Sequence, residues 1–484
     1  MHRIVLEVTV MMALVSVPAV PRAAWSVEYP GRRPGPAAVA LQADRIEYSN
    51  AVLAGWWGFP RGRLQGMAVR DLQSGAAWES GRDLFCILLA DGTTCPSSAL
   101  RVVRHSAVAK DAAHGAGPQL ADQFAGRGLE VTLVSEDGRL RVVWRGMMHD
   151  EANYIRQELE LSAGEQPVAI RDIVWLDETI PGAASAGSVD GSLITVGPLF
   201  MGCEDPMADN RVRASAEGVE SSVPAVQCRL ARHVELQPGD PAVQQSFVVG
   251  VAPEGQLRRA FLYYLERERA HPYRPYLHYN SWYDTAWQPF ALNEDNCLEA
   301  IRLFGERLTR RHGVVLDGMV FDDGWDDPHT LWQFHAGFPR GFTPLADLCR
   351  EYGTQLGVWL SPFGGYGEPR EKRLAFGREQ GFETNPTGFS LAGPRYYQAF
   401  RQACVGMIRN YGVNYFKFDG IAQGSYAQGA GEYIRDTEAM RRLMQELRRE
   451  HPQLFINLTT GSWPSPFWLR YADSLWRQGG DMGL

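Results

Sequence analysis

The sequence predicts a multidomain protein in which an all-β sandwich, or supersandwich, precedes a (β/α)8 TIM-type barrel that is incomplete at its C-terminus. Between about residues 27 and 251, short apolar runs are separated by Gly, Asp, Asn and Ser, which is typical of a β-sandwich. A helical pattern follows, and after it β and α patterns alternate in units of about 40 residues, which indicates a parallel sheet. The 484 residues are enough for two to three domains of about 150 residues each.

Four segments are predicted along the chain: a signal peptide over 1–24, a β-sandwich domain over 25–255, a linking helix over 256–276, and a catalytic barrel over 277–484. The first segment has a basic start, an apolar run from Ile4 to Val20 interrupted by Glu7, and then small residues. This pattern predicts a secreted or periplasmic protein, the alternatives being a buried N-terminal strand or a misassigned start. No later stretch reaches about 18 apolar residues, so no membrane-spanning helix is predicted.

Two elements of the first half can be placed from their residues. Leu129–Val134 and Leu140–Trp144 flank Asp137-Gly138, a turn-favouring pair, and this predicts a β-hairpin. From Gln256 to Ala270 apolar residues recur at spacings of three and four and prolines follow, which predicts the linking helix.

Six strands and four helices are predicted in the second half. The strands are Tyr276–Trp282, Gly318–Phe321, Gln355–Leu360, Tyr415–Phe418, Leu454–Leu458 and Ser474–Trp476. The helices are Asn296–Arg311, Pro344–Tyr352, Tyr396–Tyr411 and Ile434–His451. A barrel is favoured over a doubly wound sheet because polar and aromatic residues recur at the carboxyl ends of the strands, where a barrel keeps its active site. No glycine-rich phosphate-binding motif follows a strand, so nucleotide binding is not supported.

Charge and cysteine content narrow the possible partners. Lys and Arg number 48 against 56 Asp and Glu, and the net charge of −8 without a basic block gives no support for nucleic-acid binding. The seven cysteines are scattered, without a CxxC pair, so a metal cluster or a redox pair is not expected. Buried free thiols are favoured, and Cys86 with Cys95 is the disulfide alternative nearest in sequence.

The ends of the six strands carry carboxylates, tryptophans, a lysine and an arginine. They read Asn280-Ser281-Trp282, Asp322-Asp323-Gly324-Trp325, Trp359-Leu360-Ser361-Pro362, Lys417-Phe418-Asp419-Gly420, Asn457-Leu458-Thr459 and Arg477-Gln478-Gly479-Gly480-Asp481. Carboxylates and a lysine bind hydroxyl groups, and aromatic rings cover the C–H surface of a sugar. A lone Asp at a strand end is more often a turn or cap residue, and a lone Trp is more often core. Six successive ends of this kind indicate a carbohydrate site.

In this order, the motifs Asn-Ser-Trp, Asp-Asp-x-Trp, Gly-x-Trp, Lys-x-Asp-Gly and Arg-x-x-x-Asp resemble the retaining α-galactosidases and α-N-acetylgalactosaminidases of glycoside hydrolase clan D. The β-rich first half, the linking helix and the segment Asn153–Glu158 are most similar to family 36. The resemblance covers roughly residues 25–484 and is strongest over the barrel motifs.

The resemblance implies a role for each matched residue. Asp419 matches the nucleophile, and Asp481 matches the acid/base. Asp322 and Asp323 match the pair that binds the galactose O4 and O6, Lys417 matches a lysine on O3 and O4, and Arg477 an arginine near O2. Trp282, Trp325 and Trp359 match the aromatic walls of the sugar pocket. No metal or organic cofactor is implied, and the expected partner is a terminal α-linked galactose or N-acetylgalactosamine.

The residues themselves leave alternatives open. Asp473 could be the acid instead of Asp481, although it precedes its strand. Asp326, Asp327 and His335 could in principle bind a metal, but their spacing fits no zinc or EF-hand pattern and solvated loop charge is favoured. Asn457 begins a glycosylation sequon, but on a core strand it is more plausibly a pocket amide or a chance match.

The sequence also departs from the family. Ser361-Pro362-Phe363 stands where relatives carry a Glu-Pro-Glu type segment, which bears on the outer wall of the pocket. Six strands are predicted where a barrel needs eight, so we expect a truncated or incomplete sequence, or else a frame-shifted product. Two other functions therefore stand beside hydrolysis: galactosyl transfer of the raffinose-synthase type, and sugar binding without catalysis.

Overall fold

The structure is a computed structural model that describes residues 27–110, 119–213, 223–286, 292–420, 433–459 and 463–475. The predicted signal peptide at 1–24 lies outside the described residues. So do two of the predicted site residues, Arg477 and Asp481.

The described residues up to 251, here called the β region, form eighteen strands in three antiparallel sheets. The strands are β1 Ala38–Leu41, β2 Arg45–Ser49, β3 Leu53–Gly58, β4 Met67–Asp71, β5 Ala77–Glu79, β6 Cys86–Leu89, β7 Thr94–Pro96, β8 Arg101–Lys110, β9 Gly126–Val134, β10 Leu140–His149, β11 Tyr154–Ala163, β12 Val168–Thr179, β13 Ala183–Ser185, β14 Ile194–Val196, β15 Leu199–Cys203, β16 Asp209–Arg213, β17 Ala225–Leu236 and β18 Val243–Val251. Their orders are β1-β2-β3-β4-β5, β13-β14-β15-β18-β11-β10-β9-β8 and β16-β17-β12-β6-β7. The predicted hairpin is β9–β10, and Gly138 in its turn has φ 72°, a backbone conformation that favours glycine.

The three sheets share one apolar core. Trp57, Trp144 and Trp175 come from the first, second and third sheet, and all three are buried in it. The buried Gln157 carbonyl accepts hydrogen bonds from the indole N–H groups of Trp57 at 2.7 Å and Trp144 at 3.2 Å. Because an unpaired buried polar group costs free energy, this amide, which lies in the second sheet, ties Trp57 of the first sheet to it.

A helix connects the β region to the rest of the chain. Helix α1, Leu257–Glu268, corresponds to the predicted linking helix. Its Tyr264 packs with Tyr154 and Phe200 of the β region and with Phe467 from the second half, in a small apolar cluster. Both halves therefore bury side chains against α1.

Glu204 is a second point of contact between the halves. Its fully buried carboxylate accepts hydrogen bonds from Arg156 Nε at 2.8 and 3.0 Å and lies 3.3 Å from Arg470 Nη1. Burial alone would raise the pKa of Glu204, but the two guanidinium groups hold it at about 2. Arg156 belongs to β11 and Arg470 to the second half, so an ionised glutamate ties the two together.

The second half, here called the β/α region, contains eight strands and five helices among its described residues. The strands are β19 His278–Asn280, β20 Gly318–Phe321, β21 Leu356–Leu360, β22 Thr384–Asn385, β23 Gly388–Phe389, β24 Tyr415–Phe418, β25 Phe455–Leu458 and β26 Ser474–Leu475. The helices are α2 Glu294–Phe304, α3 Thr343–Glu351, α4 Gly367–Gln380, α5 Pro394–Tyr411 and α6 Ile434–Glu450. Strands β22 and β23 form a separate hairpin.

The other six strands form one parallel sheet in the order β19-β20-β21-β24-β25-β26. Each of these six strands is hydrogen-bonded to the next of the six along the chain. This is the strand order of a singly wound barrel and not of a doubly wound sheet. All six correspond to predicted strands, and α2, α3, α5 and α6 correspond to the predicted helices.

Helix α4 was not predicted. Half of its residues are charged, and Leu374 is its one buried apolar residue larger than glycine. The helix also buries Arg373, whose charge is neutralised by an aspartate described below. A helix that turns an ion pair to the core has no apolar stripe, and so the hydrophobic spacing gave no signal.

The inner face of the parallel sheet is filled by large side chains around a glycine. Val320, Tyr415 and Phe455 form a buried cluster there. A Cβ on Gly357 would lie 2.7 Å from Val320 Cγ2 and 3.0 Å from Tyr415 Cβ, so this position has no room for a side chain.

The described residues contain no helix that is both long and apolar enough to cross a membrane. All seven cysteines are free thiols, six buried and Cys86 half-buried, and Cys86 and Cys95 form no disulfide.

A glycine-to-alanine substitution should have opposite effects on the stability of the protein at two positions. We expect Gly357→Ala to destabilise the protein by about 1–3 kcal/mol because it overpacks the inner face of the sheet. Gly406→Ala in α5, where a Cβ would meet only Asn410 Nδ2 at 3.9 Å, should stabilise it by about 0.5–1 kcal/mol. Thermal unfolding followed by circular dichroism measures both, and shifts of the same sign would contradict the packing described around Gly357.

Candidate active site

The site is built on one row of residues across the parallel sheet. The row has one residue from each of four neighbouring strands. They are Trp359 of β21, Lys417 of β24, Asn457 of β25 and Ser474 of β26, each in register with the next. Because successive strand residues point to opposite faces, these four side chains share the inner face, while Phe418 packs in the apolar core with the helices. Asp419 follows β24 directly, two residues after Lys417.

Asp419 is held by two aromatic hydrogen-bond donors. Its carboxylate accepts from Trp359 Nε1 on Oδ2 at 3.0 Å and from the Tyr366 hydroxyl on Oδ1 at 2.9 Å. Its backbone N–H donates to the Leu360 carbonyl at 3.0 Å, which continues the ladder between β21 and β24. The residue is 9% exposed. Donors on both oxygens fix the orientation of the carboxylate.

Lys417 forms an ion pair with Asp322, Nζ to Oδ2 at 2.7 Å. The other carboxylate oxygen of Asp322 accepts from the Asp323 backbone N–H at 2.9 Å, and the Asp322 N–H donates to Ser281 Oγ at 2.8 Å. This ion pair connects β24 to the end of β20. Lys417 Nζ also lies 5.8 Å from the centre of the half-buried Trp282 ring, so β19, β20 and β24 meet here.

A buried arginine stands behind Asp323. Arg373 donates to both oxygens of Asp326 at 2.7 and 2.9 Å and to the Gly364 carbonyl at 2.9 Å, and its Nη2 lies 3.6 Å from Asp323 Oδ1. The sequence favoured a solvated loop charge for Asp326. This prediction is wrong, because Asp326 is a buried partner of Arg373. Its burial depends on α4, which the sequence did not reveal.

Burial raises the pKa of the Asp323 carboxyl from 3.8 to about 7. Arg373 opposes this rise, while the negative charges of Asp326, Asp322 and Asp419 add to it. A cavity of about 400 Å³ opens beside Asp323, lined also by His335, Glu368 and Lys372.

The three predicted tryptophans differ in position. Trp282 lies next to Lys417, and Trp359 binds Asp419. Trp325 is completely buried; its indole N–H donates to the Trp359 carbonyl at 2.9 Å, and its ring packs on Phe334. Trp325 thus supports Trp359 from behind and does not line an open surface.

The remaining candidates are also placed. Asp473 lies before β26 and accepts from Arg448 at 2.9 Å and from the Ile456 N–H at 2.8 Å, at the amino end of the sheet and away from the site. Asn457 lies in the inner row and donates to Ser474 Oγ at 2.8 Å. The described residues contain no cluster of His, Cys, Asp and Glu that could hold a metal ion. The side chain of Asp327 is 40% exposed and hydrogen-bonds His329, and the ring of His335 bonds backbone groups.

Three functional residues were missed from the sequence: Ser281, Tyr366 and Arg373. Ser281 belongs to the Asn-Ser-Trp motif and was overlooked beside its neighbour. Tyr366 follows Gly364-Gly365, and a glycine pair before an aromatic residue was the one available signal of an irregular loop at the site.

Three antiparallel sheets, a connecting helix and a singly wound parallel sheet with carboxylates at its carboxyl end define a barrel-type fold with an N-terminal β-sandwich. Solved structures that are similar to this chain include α-galactosidases, several of them described as GH36 enzymes. AgaB from Geobacillus stearothermophilus superposes with a TM-score of 0.60 at 15% identity, over 91% of this chain and 75% of that one. The enzyme from Lactobacillus brevis gives 0.58 at 12% identity, over 91% and 72%. A variant of AgaA from Geobacillus stearothermophilus in complex with raffinose gives 0.57 at 14% identity, over 92% and 75%.

No protein-family model matches the sequence, and no curated protein matches it. The likeness of structure confirms the predicted fold resemblance to family 36.

The raised pKa of Asp323 should be visible in the pH dependence of stability. In the folded protein this carboxyl stays protonated up to about pH 7, whereas in the unfolded chain it ionises near pH 3.8. Its contribution to the free energy of unfolding is thus fully present below about pH 4 and is lost as the pH rises to about 7. The Asp323→Asn variant cannot ionise at this position. We therefore expect its free energy of unfolding, measured by thermal or urea unfolding, to decline less than that of the wild type between about pH 4 and pH 7.

The matched control is Asp347→Asn on α3, an aspartate whose side chain is 63% exposed. It should follow the wild-type profile. Parallel profiles for the wild type and Asp323→Asn would show that Asp323 is ionised in the folded protein well below pH 7.

Proposed function

We propose that this protein is a retaining, exo-acting glycosidase that hydrolyses terminal α-galactosides, with Asp419 as its nucleophile. The observation that carries the proposal is the Asp419 carboxylate, held by Trp359 and Tyr366 beside the Asp322–Lys417 ion pair at the carboxyl end of the sheet. The same fold in α-galactosidases supports this assignment.

The reaction proceeds by double displacement. The ionised Asp419 attacks C1 of the sugar from the β face while Asp481, which lies outside the described residues, gives its proton to the glycosidic oxygen. The aglycone leaves as an alcohol, and the sugar stays bound as a β-galactosyl ester. Water then attacks C1 with Asp481 as base, and the Asp419 carboxylate is released.

The charged groups next to Asp419 suit a polyhydroxylated, uncharged substrate. Lys417 uses one donor on Asp322 and has further N–H groups for hydroxyls, while the carboxylate of Asp322 retains lone pairs as acceptors. Asp323 completes the hydroxyl-binding set, Trp282 covers a C–H face of the sugar, and Arg477, also outside the described residues, is assigned to O2.

Replacing the nucleophile should abolish hydrolysis and permit rescue by a small anion. We expect Asp419→Gly to lower kcat on an aryl α-galactoside about a thousandfold or more. Azide, which fits the space left by the carboxylate, should restore release of the aryl alcohol and form β-galactosyl azide, because it attacks C1 from the face that Asp419 used. Colorimetric rates and NMR of the product measure both results.

The matched control is Asp327→Gly, an exposed aspartate of the neighbouring loop, which should keep wild-type activity without azide dependence. Substantial hydrolysis by Asp419→Gly, or an α-configured azide product, would remove Asp419 from the role of nucleophile.

A further inference from the structure

The two oxygens of the Asp419 carboxylate lie in different surroundings. Oδ2 accepts from the indole of Trp359, which is 1% exposed, whereas Oδ1 accepts from the hydroxyl of Tyr366, which is 36% exposed. Oδ2 therefore faces packed protein, and Oδ1 lies on the side open to solvent. A substrate that enters from solvent meets Oδ1 first.

The position of the Tyr366 hydroxyl is built into the loop after β21. Gly364, Gly365 and Gly367 have φ values of 108°, 90° and 55°, which residues with side chains rarely adopt. A Cβ on Gly365 would lie 2.8 Å from Arg373 Nη1, and the same Nη1 donates to the Gly364 carbonyl at 2.9 Å. The buried arginine thus anchors the glycine loop that carries Tyr366 to Asp419.

This loop follows Ser361-Pro362-Phe363, where the sequence departs from the family pattern. The Phe363 ring packs edge-on against Tyr366, with the ring centres 5.4 Å apart. It also lies so close to Gly420 that a Cβ there would fall 2.1 Å from Phe363 Cε1. The departure from the family pattern therefore occurs in a segment that packs around Asp419.

We infer that Oδ1 is the oxygen that attacks the sugar, and that Tyr366 is a further catalytic residue that promotes release of the sugar in the second step. This inference rests on the proposed glycosidase function. In the ester intermediate, C1 of the sugar is bonded to Oδ1. When water attacks C1, its proton passes to Asp481, the C1–Oδ1 bond breaks, and the electron pair returns to Oδ1. The Tyr366 O–H then stabilises the negative charge that develops there.

The same hydrogen bond acts against the first step. As Oδ1 attacks, it loses charge to the new bond, and the hydrogen bond from Tyr366 weakens. Tyr366 therefore stabilises the free carboxylate relative to the ester, and its removal should slow hydrolysis of the ester without slowing its formation.

Tyr366→Phe tests this inference on an aryl α-galactoside with a good leaving group. We expect kcat and KM to fall together by about ten- to a hundredfold while kcat/KM is unchanged or slightly higher. Stopped-flow traces should show a burst of aryl alcohol equivalent to the enzyme concentration, because the ester accumulates. The matched control is Tyr352→Phe, which removes a hydroxyl that donates to a glutamate at 2.8 Å outside the site and should leave the kinetics unchanged.

Gly365→Ala provides an independent variant that keeps the phenol but displaces it through the contact with Arg373. It should reproduce the burst and the joint fall of kcat and KM. The double variant should be no worse than the more affected single variant, because both remove one interaction. Thermal midpoints confirm that each variant is folded.

Two results would overturn the role of Tyr366: a wild-type kcat in Tyr366→Phe, or a fall in kcat without a burst and without a fall in KM. If either occurs while Asp419→Gly is inactive and rescued by azide, the glycosidase proposal stands and the inference about Tyr366 fails. If Asp419→Gly retains hydrolysis, the proposed function itself fails.

Discussion

The parallel register that sets Trp359 opposite Lys417 is the constraint on which the candidate site depends. It brings the indole of β21 to the carboxylate that follows β24, and it points Lys417 toward Asp322 at the end of β20. A shift by one residue would turn Phe418 inward and Lys417 toward the helices. The packing of Val320, Tyr415 and Phe455 around Gly357 resists such a shift, since it fills the layer beneath the site. Core and site are successive layers of the same strands.

The buried carboxylates near Asp419 are paired with basic side chains, except that of Asp323. Lys417 with Asp322 and Arg373 with Asp326 are close ion pairs in which the carboxylates have almost no exposure. Removing either partner of such a pair leaves an uncompensated buried charge, so each pair holds its loop in place. Asp323 lies between them, 3.6 Å from Arg373, which already pairs with Asp326, and burial raises the pKa of its carboxyl. Asp323 also borders the cavity that His335, Glu368 and Lys372 line.

The features that could be predicted from the sequence are those that have a regular apolar spacing or a compact motif. Apolar spacing marks the six strands of the parallel sheet and four of the five α-helices of the β/α region, and the motifs mark the strand ends that share one edge of that sheet. Helix α4 could not be predicted because its buried face contains Arg373. Tyr366 reaches Asp419 through three positive φ angles, which residue types alone do not specify. Trp325 follows the end of β20 and Trp359 lies within β21, and the packing makes Trp325 the support of the indole that binds the carboxylate.

The β region contributes to the site through the segment after β15. Glu204 pairs with Arg470, Asp205 pairs with Arg441 of α6, and the Pro206 carbonyl accepts from the indole of Trp463 at 2.6 Å. These three contacts reach α6 and the segment between β25 and β26, which flank the strand that precedes Asp481 in the sequence. Because Glu204 and Arg156 both belong to the β region, separating the halves would leave Arg470 without this buried carboxylate. The β region therefore holds in position the part of the parallel sheet that precedes Asp481 in the sequence.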